Sequence, residues 1–145
     1  MTDMRREDSF FQKKCESFFA IELNEGTESY ELALGSGNHQ LAEIPPNCLI
    51  TNAYVFVKTA SDAATSNVLT LGTASGGTQI LSAANLKTAG KQGTFTGLSN
   101  TSAGVTLWLG VTVTGAQTAV GEYIVVVEYL EYTKDNGEYT TIPNV

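Results

Sequence analysis

Apolar residues recur at every second position over most of this chain, which is the period of a strand with one covered face. The clearest case is residues 105–113, where Val105, Leu107, Leu109, Val111 and Val113 share one side and Thr106, Trp108, Gly110 and Thr112 share the other. Residues 121–133 form a second long run, with Tyr123, Val125, Val127 and Tyr129 alternating against Ile124, Val126 and Leu130. Its middle is apolar on both sides, as expected of a central strand or of one covered by a neighbouring subunit. Further strands are predicted over residues 17–24, 29–34, 48–59, 68–72 and 93–98. Residues 80–89 leave a helical turn open.

Turn chemistry separates these runs. Asn24-Glu25-Gly26 and Asp135-Asn136-Gly137 are hairpin signals, because Asn and Gly accept the positive φ that tight hairpin turns require. Residues 35–38, 45–47, 74–77 and 115–121 read as loops rich in Gly, Ser, Pro and Asn. Short strands at spacings of about 8–15 residues, with no convincing long helix, predict an all-β fold. The expected architecture is an antiparallel β-sandwich, jelly-roll-like, in one domain over residues 15–145. Residues 1–14 read as an N-terminal arm, since Phe10 and Phe11 are their only large apolar side chains besides methionine. A chain of 145 residues can bury roughly 70% of its unfolded surface, so the core needs no staples.

Charge sharpens the division between arm and body. The chain carries a formal net charge of −7, which argues against nucleic acid as a partner, because phosphate binding needs a basic stripe. Arg5, Arg6, Lys13 and Lys14 supply half of the 8 basic residues, all within the arm. From residue 63 to 121 there is no acidic side chain, and only Lys87 and Lys91 are charged. That stretch of Ser, Thr, Gly, Ala and aliphatics suits either a polar, uncharged β-surface or a surface that packs against another protein. The arm is charged throughout and no apolar run follows it, so neither a secretory leader nor a membrane span is expected. Assembly in a cytoplasm with reduced thiols is the corresponding expectation.

Candidate chemistry is sparse. The single histidine, His39, sits in a stretch that reads as an exposed polar loop, with no nucleophile near it in sequence. Zinc needs three or four nitrogen or sulfur ligands, and one His with the separated Cys15 and Cys48 does not supply a usual site. Both cysteines lie beside apolar runs and read as small buried hydrophobes, although sequence alone leaves a bridge between them open. No calcium-loop pattern is present. Carboxylates such as Glu22 and Glu128 could pair across strands, but any acidic β-protein offers such pairs. The glycine-rich 72–77 segment lacks the Gly-Lys-Ser/Thr ending and the following helix of a phosphate loop. Accordingly no catalytic, metal or cofactor site is expected, and no enzyme. Tyr54, Phe56, Phe95, Trp108, Tyr123 and Tyr129 could form a carbohydrate platform, but sheet aromatics are more often core or interface. Trp108, Tyr123 and Tyr129 are the candidates for an oligomer or interface surface.

One resemblance adds to this. Residues 44–57, opening Ile44-Pro45-Pro46-Asn47 into a strand, residues 69–81 with Leu71-Gly72-Thr73 before a small-residue loop, and the late Val125-Val126-Val127-Glu128-Tyr129 strand are together similar to small virion proteins of tailed bacteriophages. The likeness covers about residues 41–132, in strand and loop idioms. It implies a jelly-roll-like decoration, or cement, protein on the outer surface of a capsid, often a homotrimer at local threefold positions. The partner so implied is the major capsid protein, clamped by the arm through Arg5, Arg6, Phe10, Phe11, Lys13 and Lys14, with no nucleic acid and no membrane involved. The readings that compete with it are a glycan- or host-binding module of a head or tail fibre, and another minor virion component of the tail or neck.

Overall fold

The fold is taken from a computed structural model, which describes residues 16–24, 36–97, 100–101, 103–118 and 120–131. The arm, Cys15, the predicted strand at 29–34 and the Asp135-Asn136-Gly137 turn lie outside the described residues. In chain order the strands are β1 (Glu16–Asn24), β2 (Gly37–Ile44), β3 (Cys48–Thr59), β4 (Ser66–Gly72) and β5 (Leu81–Asn85). They continue as β6 (Gly90–Gln92), β7 (Thr94–Phe95), β8 (Asn100–Thr101), β9 (Val105–Thr114) and β10 (Glu122–Glu131).

These strands make two five-stranded antiparallel sheets. The first runs β1-β10-β3-β6, with β8 also on β3; the second runs β2-β9-β4-β5-β7. The pairing is nested. The outermost strands β1 and β10 pair in the first sheet, and β2 and β9 pair in the second. Further in, β3 takes β6 and β8 in the first sheet, and β4 takes β5 in the second. The chain is in effect one long antiparallel hairpin rolled up so that successive pairs fall in alternate sheets. This all-β sandwich is the fold class that alternation predicted.

The core lies between the sheets and is filled by the alternate residues. Tyr123, Val125 and Val127 of β10 and Ile50, Ala53, Val55 and Val57 of β3 face Leu107, Leu109 and Val111 of β9 and Leu69 and Leu71 of β4, all buried. Each fully buried Val, Leu or Ile contributes about 1.5–3 kcal/mol relative to exposure. Alternation in β3 switches phase partway. Tyr129 pairs with Ile50 but Glu128 pairs with Asn52, so Thr51 is an extra residue that returns Ala53 to the inner face.

One end of the sandwich is fastened by polar groups. Buried Ser61 accepts from Asn67 Nδ2 at 3.0 Å and from the Ala63 amide at 3.2 Å. The Ser61 amide in turn donates to the Leu86 carbonyl at 2.9 Å, and the Leu86 amide to the Asn67 carbonyl at 2.9 Å. Nearby, Asp62 accepts from the Thr118 amide at 3.1 Å and from the Thr118 hydroxyl, which ties the 115–121 loop down.

Three readings are settled or changed. Residues 80–89 hold no helical turn but form β5 and a tight turn. The stretch carrying His39 is not a loop but β2, whose His39 pairs with Leu109 and is half-buried. Its polar composition hides a strand that a bulge at Leu41 also takes out of phase. Of the predicted strand at 93–98, the described residues 93–97 form only β7.

Candidate functional site

The outward faces of the two sheets carry whatever the sandwich presents, and they are unlike. On the first sheet, β10 points Glu122, Ile124, Val126 and Glu128 outward, opposite to its buried Tyr123, Val125 and Val127. Register places Phe56 beside Ile124 and Tyr54 beside Val126 on one flank, with Glu22 beside Ile124 and Ala20 beside Val126 on the other. Phe56 is 44% exposed, one of two large apolar side chains so open among the described residues. Lys91 on β6 holds its ammonium 4.5 Å from the Tyr54 ring centre, a cation–π contact.

Charges bracket this apolar strip. At one end Lys58 Nζ lies 2.6 Å from Glu22 and 3.6 Å from Glu122. The hydrogen bond to Glu22, and then that carboxylate's charge, push the Lys58 ammonium pKa above its ordinary value. At the other end Glu128 accepts from Asn52 Nδ2 at 3.2 Å. Along β1 and β10 the described outward charges are all carboxylates (Glu22, Glu122 and Glu128), whereas both lysines stand on the β3–β6 side.

The second sheet shows uncharged side chains over most of its outside, Asn38, Gln40, Val68, Thr70, Thr106 and Thr112 around the one large ring of Trp108, with Glu43 at one end. The loop 73–79 lies across part of it. Gly72 lets the loop approach, since a Cβ there would stand 2.4 Å from the Gly77 carbonyl carbon. Gln79 Oε1 accepts from the Thr73 amide at 3.2 Å and holds the loop in place. The segment that fails as a phosphate loop therefore has a packing role. Gly110 is the second such position, where a Cβ would meet Thr70 Oγ1 at 2.6 Å.

The aromatic candidates for an interface do not converge. Tyr123 has no accessible surface and belongs to the core, so it presents no surface at all, which corrects that expectation. Its phase on β10, shared with Val125 and Val127, puts it inside. Tyr129 packs against the core from the same side, and Trp108 is half-buried on the outside of the opposite sheet, between Gln40 and Gly72 in register. The open aromatic on the first sheet is instead Phe56, beside the half-buried Tyr54. Arg5, Arg6, Phe10, Phe11, Lys13 and Lys14 lie outside the described residues. Among the described residues no group of three or more His, Cys, Asp or Glu gathers as a metal site. Cys48 is a buried thiol whose pKa is raised by burial and, secondarily, by the Glu131 carboxylate. It is a poor nucleophile there.

Chains from two solved capsid structures share this fold. One, from the acid-stable capsid of the Helicobacter pylori bacteriophage KHP30, matches with a TM-score of 0.58 and 9% identity, covering 79% of this chain and 86% of its own. The other, from the capsid asymmetric unit of cyanophage Pam1, matches with a TM-score of 0.54 and 17% identity, covering 80% of this chain and 83% of its own. No protein-family model matches the chain, and no curated protein does.

Proposed function

We propose that this chain is a structural subunit of a phage virion, attached to the outside of the capsid as a decoration or cement protein that stabilises the head. The observation that carries the reading is the pair of fold matches. Each aligns most of this chain with most of a chain from a phage capsid structure. The nested strand order, which we read as a jelly roll, agrees with it, since that architecture recurs in viral capsid domains.

The chemistry fits a role without turnover. A rigid sandwich with short polar side chains on one face and a bracketed apolar strip on the other has surfaces for docking, and docking at many equivalent lattice positions multiplies a weak contact. Short side chains also lose little rotamer entropy on association. We assign the partner as the major capsid protein, the state on the shell as a homotrimer, and the arm, residues 1–14, as the segment that engages the shell.

The test is co-sedimentation of purified protein with phage heads or shells lacking it, together with the temperature at which those shells rupture. Binding that raises the rupture temperature, and that is lost on removing residues 1–14 while the remaining domain stays folded, is the expected result. A protein that leaves shells unbound and their rupture unchanged contradicts it.

A further inference from the structure

One row across the outside of the first sheet is the complement of its own reverse. Glu22 on β1 stands opposite Ile124 on β10, Ile124 opposite Phe56 on β3, and Phe56 opposite Lys91 on β6. Across the strands the row therefore reads carboxylate, aliphatic, aromatic, ammonium. Laid face to face on its own reverse, it sets carboxylate on ammonium and aliphatic on aromatic. We propose that this face pairs two copies of the chain about a two-fold axis that runs along the strands, between β10 and β3. Ile124 then packs on the partner copy's Phe56 and Glu22 lies against its Lys91, each contact being made twice. In the next row Val126 meets the partner copy's Tyr54, the same residue that flanks it within its own sheet.

Surface, charge and packing geometry favour a second copy as the occupant. Phe56 is 44% exposed at the centre of the row, so apolar surface is open where the axis passes. The Lys58 ammonium lies 2.6 Å from Glu22 and 3.6 Å from Glu122, so one cation serves two carboxylates. Lys91, over the Tyr54 ring at the far flank, is the cation that a partner copy brings to them. Facing sheets pack with their strands within about 30° of each other, which two kinds of two-fold axis allow, one along the strands and one across them. An axis across the strands lays the β1–β10 flank on itself and opposes Glu22, Glu122 and Glu128 to the same carboxylates, a like-charge contact that disfavours it. The axis along the strands sets that flank on the side that holds Lys58 and Lys91. The contact is modest, about 20 Å along β10 from Glu122 to Glu128 and about 14 Å from β1 to β6. It belongs to the weak, transient class of interfaces. The pairing holds whether or not the chain decorates a shell. On a shell it links copies of neighbouring trimers, since copies around a threefold axis meet through unlike surfaces.

Sedimentation equilibrium of the free, full-length protein, from about ten micromolar to about one millimolar, tests it. A monomer–dimer equilibrium is expected, with Phe56→Asp raising the dissociation constant about tenfold or more. Glu22→Lys and Lys91→Glu are each expected to weaken pairing when alone, because each sets like charges across the axis. Mixed in equal amounts, these two variants are expected to recover the dimer, because both contacts between unlike copies are then Lys against Glu. That recovery has no route through the fold of a single copy, so it keeps the test decisive where a variant is locally disturbed. A chain that stays monomeric over the range, a dimer that Phe56→Asp leaves unchanged, or a mixture as weak as its components overturns the proposal. So does a trimer that Phe56→Asp dissociates, which would assign the face to the threefold contact instead.

Discussion

On the outside of the first sheet, Phe56 and Tyr54 stand beside Ile124 and Val126, with Lys58 held between Glu22 and Glu122. On the outside of the second, Asn38 and Thr70 flank Gly110 in register, and the loop 73–79 lies on Gly72. Both sheets bury the same aliphatic layer between them, so the inner faces tell the two apart poorly. The difference lies in what each outer face admits. At Gly72 the second carries loop backbone packed on strand backbone, where added atoms have no room, while on the first the Phe56 side chain ends in open space. A face that tolerates change in isolation is one whose chemistry is spent on something beyond the fold.

The widest test of that comparison is the shared inner layer. Leu109→Ala beneath the second sheet should cost about 2–5 kcal/mol in urea unfolding, and Val125→Ala beneath the first a smaller amount in proportion to the carbon removed. A loss confined to one sheet would mean the inner layers are not equivalent. Next in size, Gly72→Val should cost about 1–3 kcal/mol by overpacking and should raise hydrogen exchange across residues 73–79. By contrast Phe56→Ser, removing a far larger side chain from the first sheet, should leave unfolding within about 0.5 kcal/mol. A Phe56→Ser loss as large as that of Gly72→Val would erase the distinction between the faces. The smallest effect belongs to Lys58→Met. Its ammonium has a raised pKa in the fold, so the ion pairs contribute below the ordinary lysine range and are lost as pH rises through the raised value. Any difference in melting temperature between wild type and Lys58→Met should therefore vanish at strongly alkaline pH, and shrink in high salt.

Much of this was legible in the sequence wherever one face is buried, because burial enforces alternation. The range 48–59 is β3 to the residue, 105–113 is β9 but for its last residue with Leu107, Leu109 and Val111 grouped on the buried side, and β10 falls within 121–133. What escaped was structure without that signature. β2 is polar on its outer side and bulged at Leu41, so His39 looked like part of a loop. β5 is short, and so short an apolar run leaves strand and helical turn undecided when length cannot arbitrate. The interface aromatics show a different limit. Tyr123 looked like a surface candidate because an aromatic in a strand that is apolar on both sides has no marked direction, and only the register with β3 and β1 turns it inward. The same register gathers Phe56, Ile124 and Glu22, residues far apart in the chain, into one strip. Local pattern does not carry that.

The most direct measurement of the central claim is a binding isotherm of labelled protein on purified shells lacking it. Decoration predicts saturation at a fixed ratio to the major capsid protein, in multiples of three copies per lattice site, and competition by unlabelled protein. Binding that fails to saturate, or none at protein concentrations well above those of the shell sites, would contradict it.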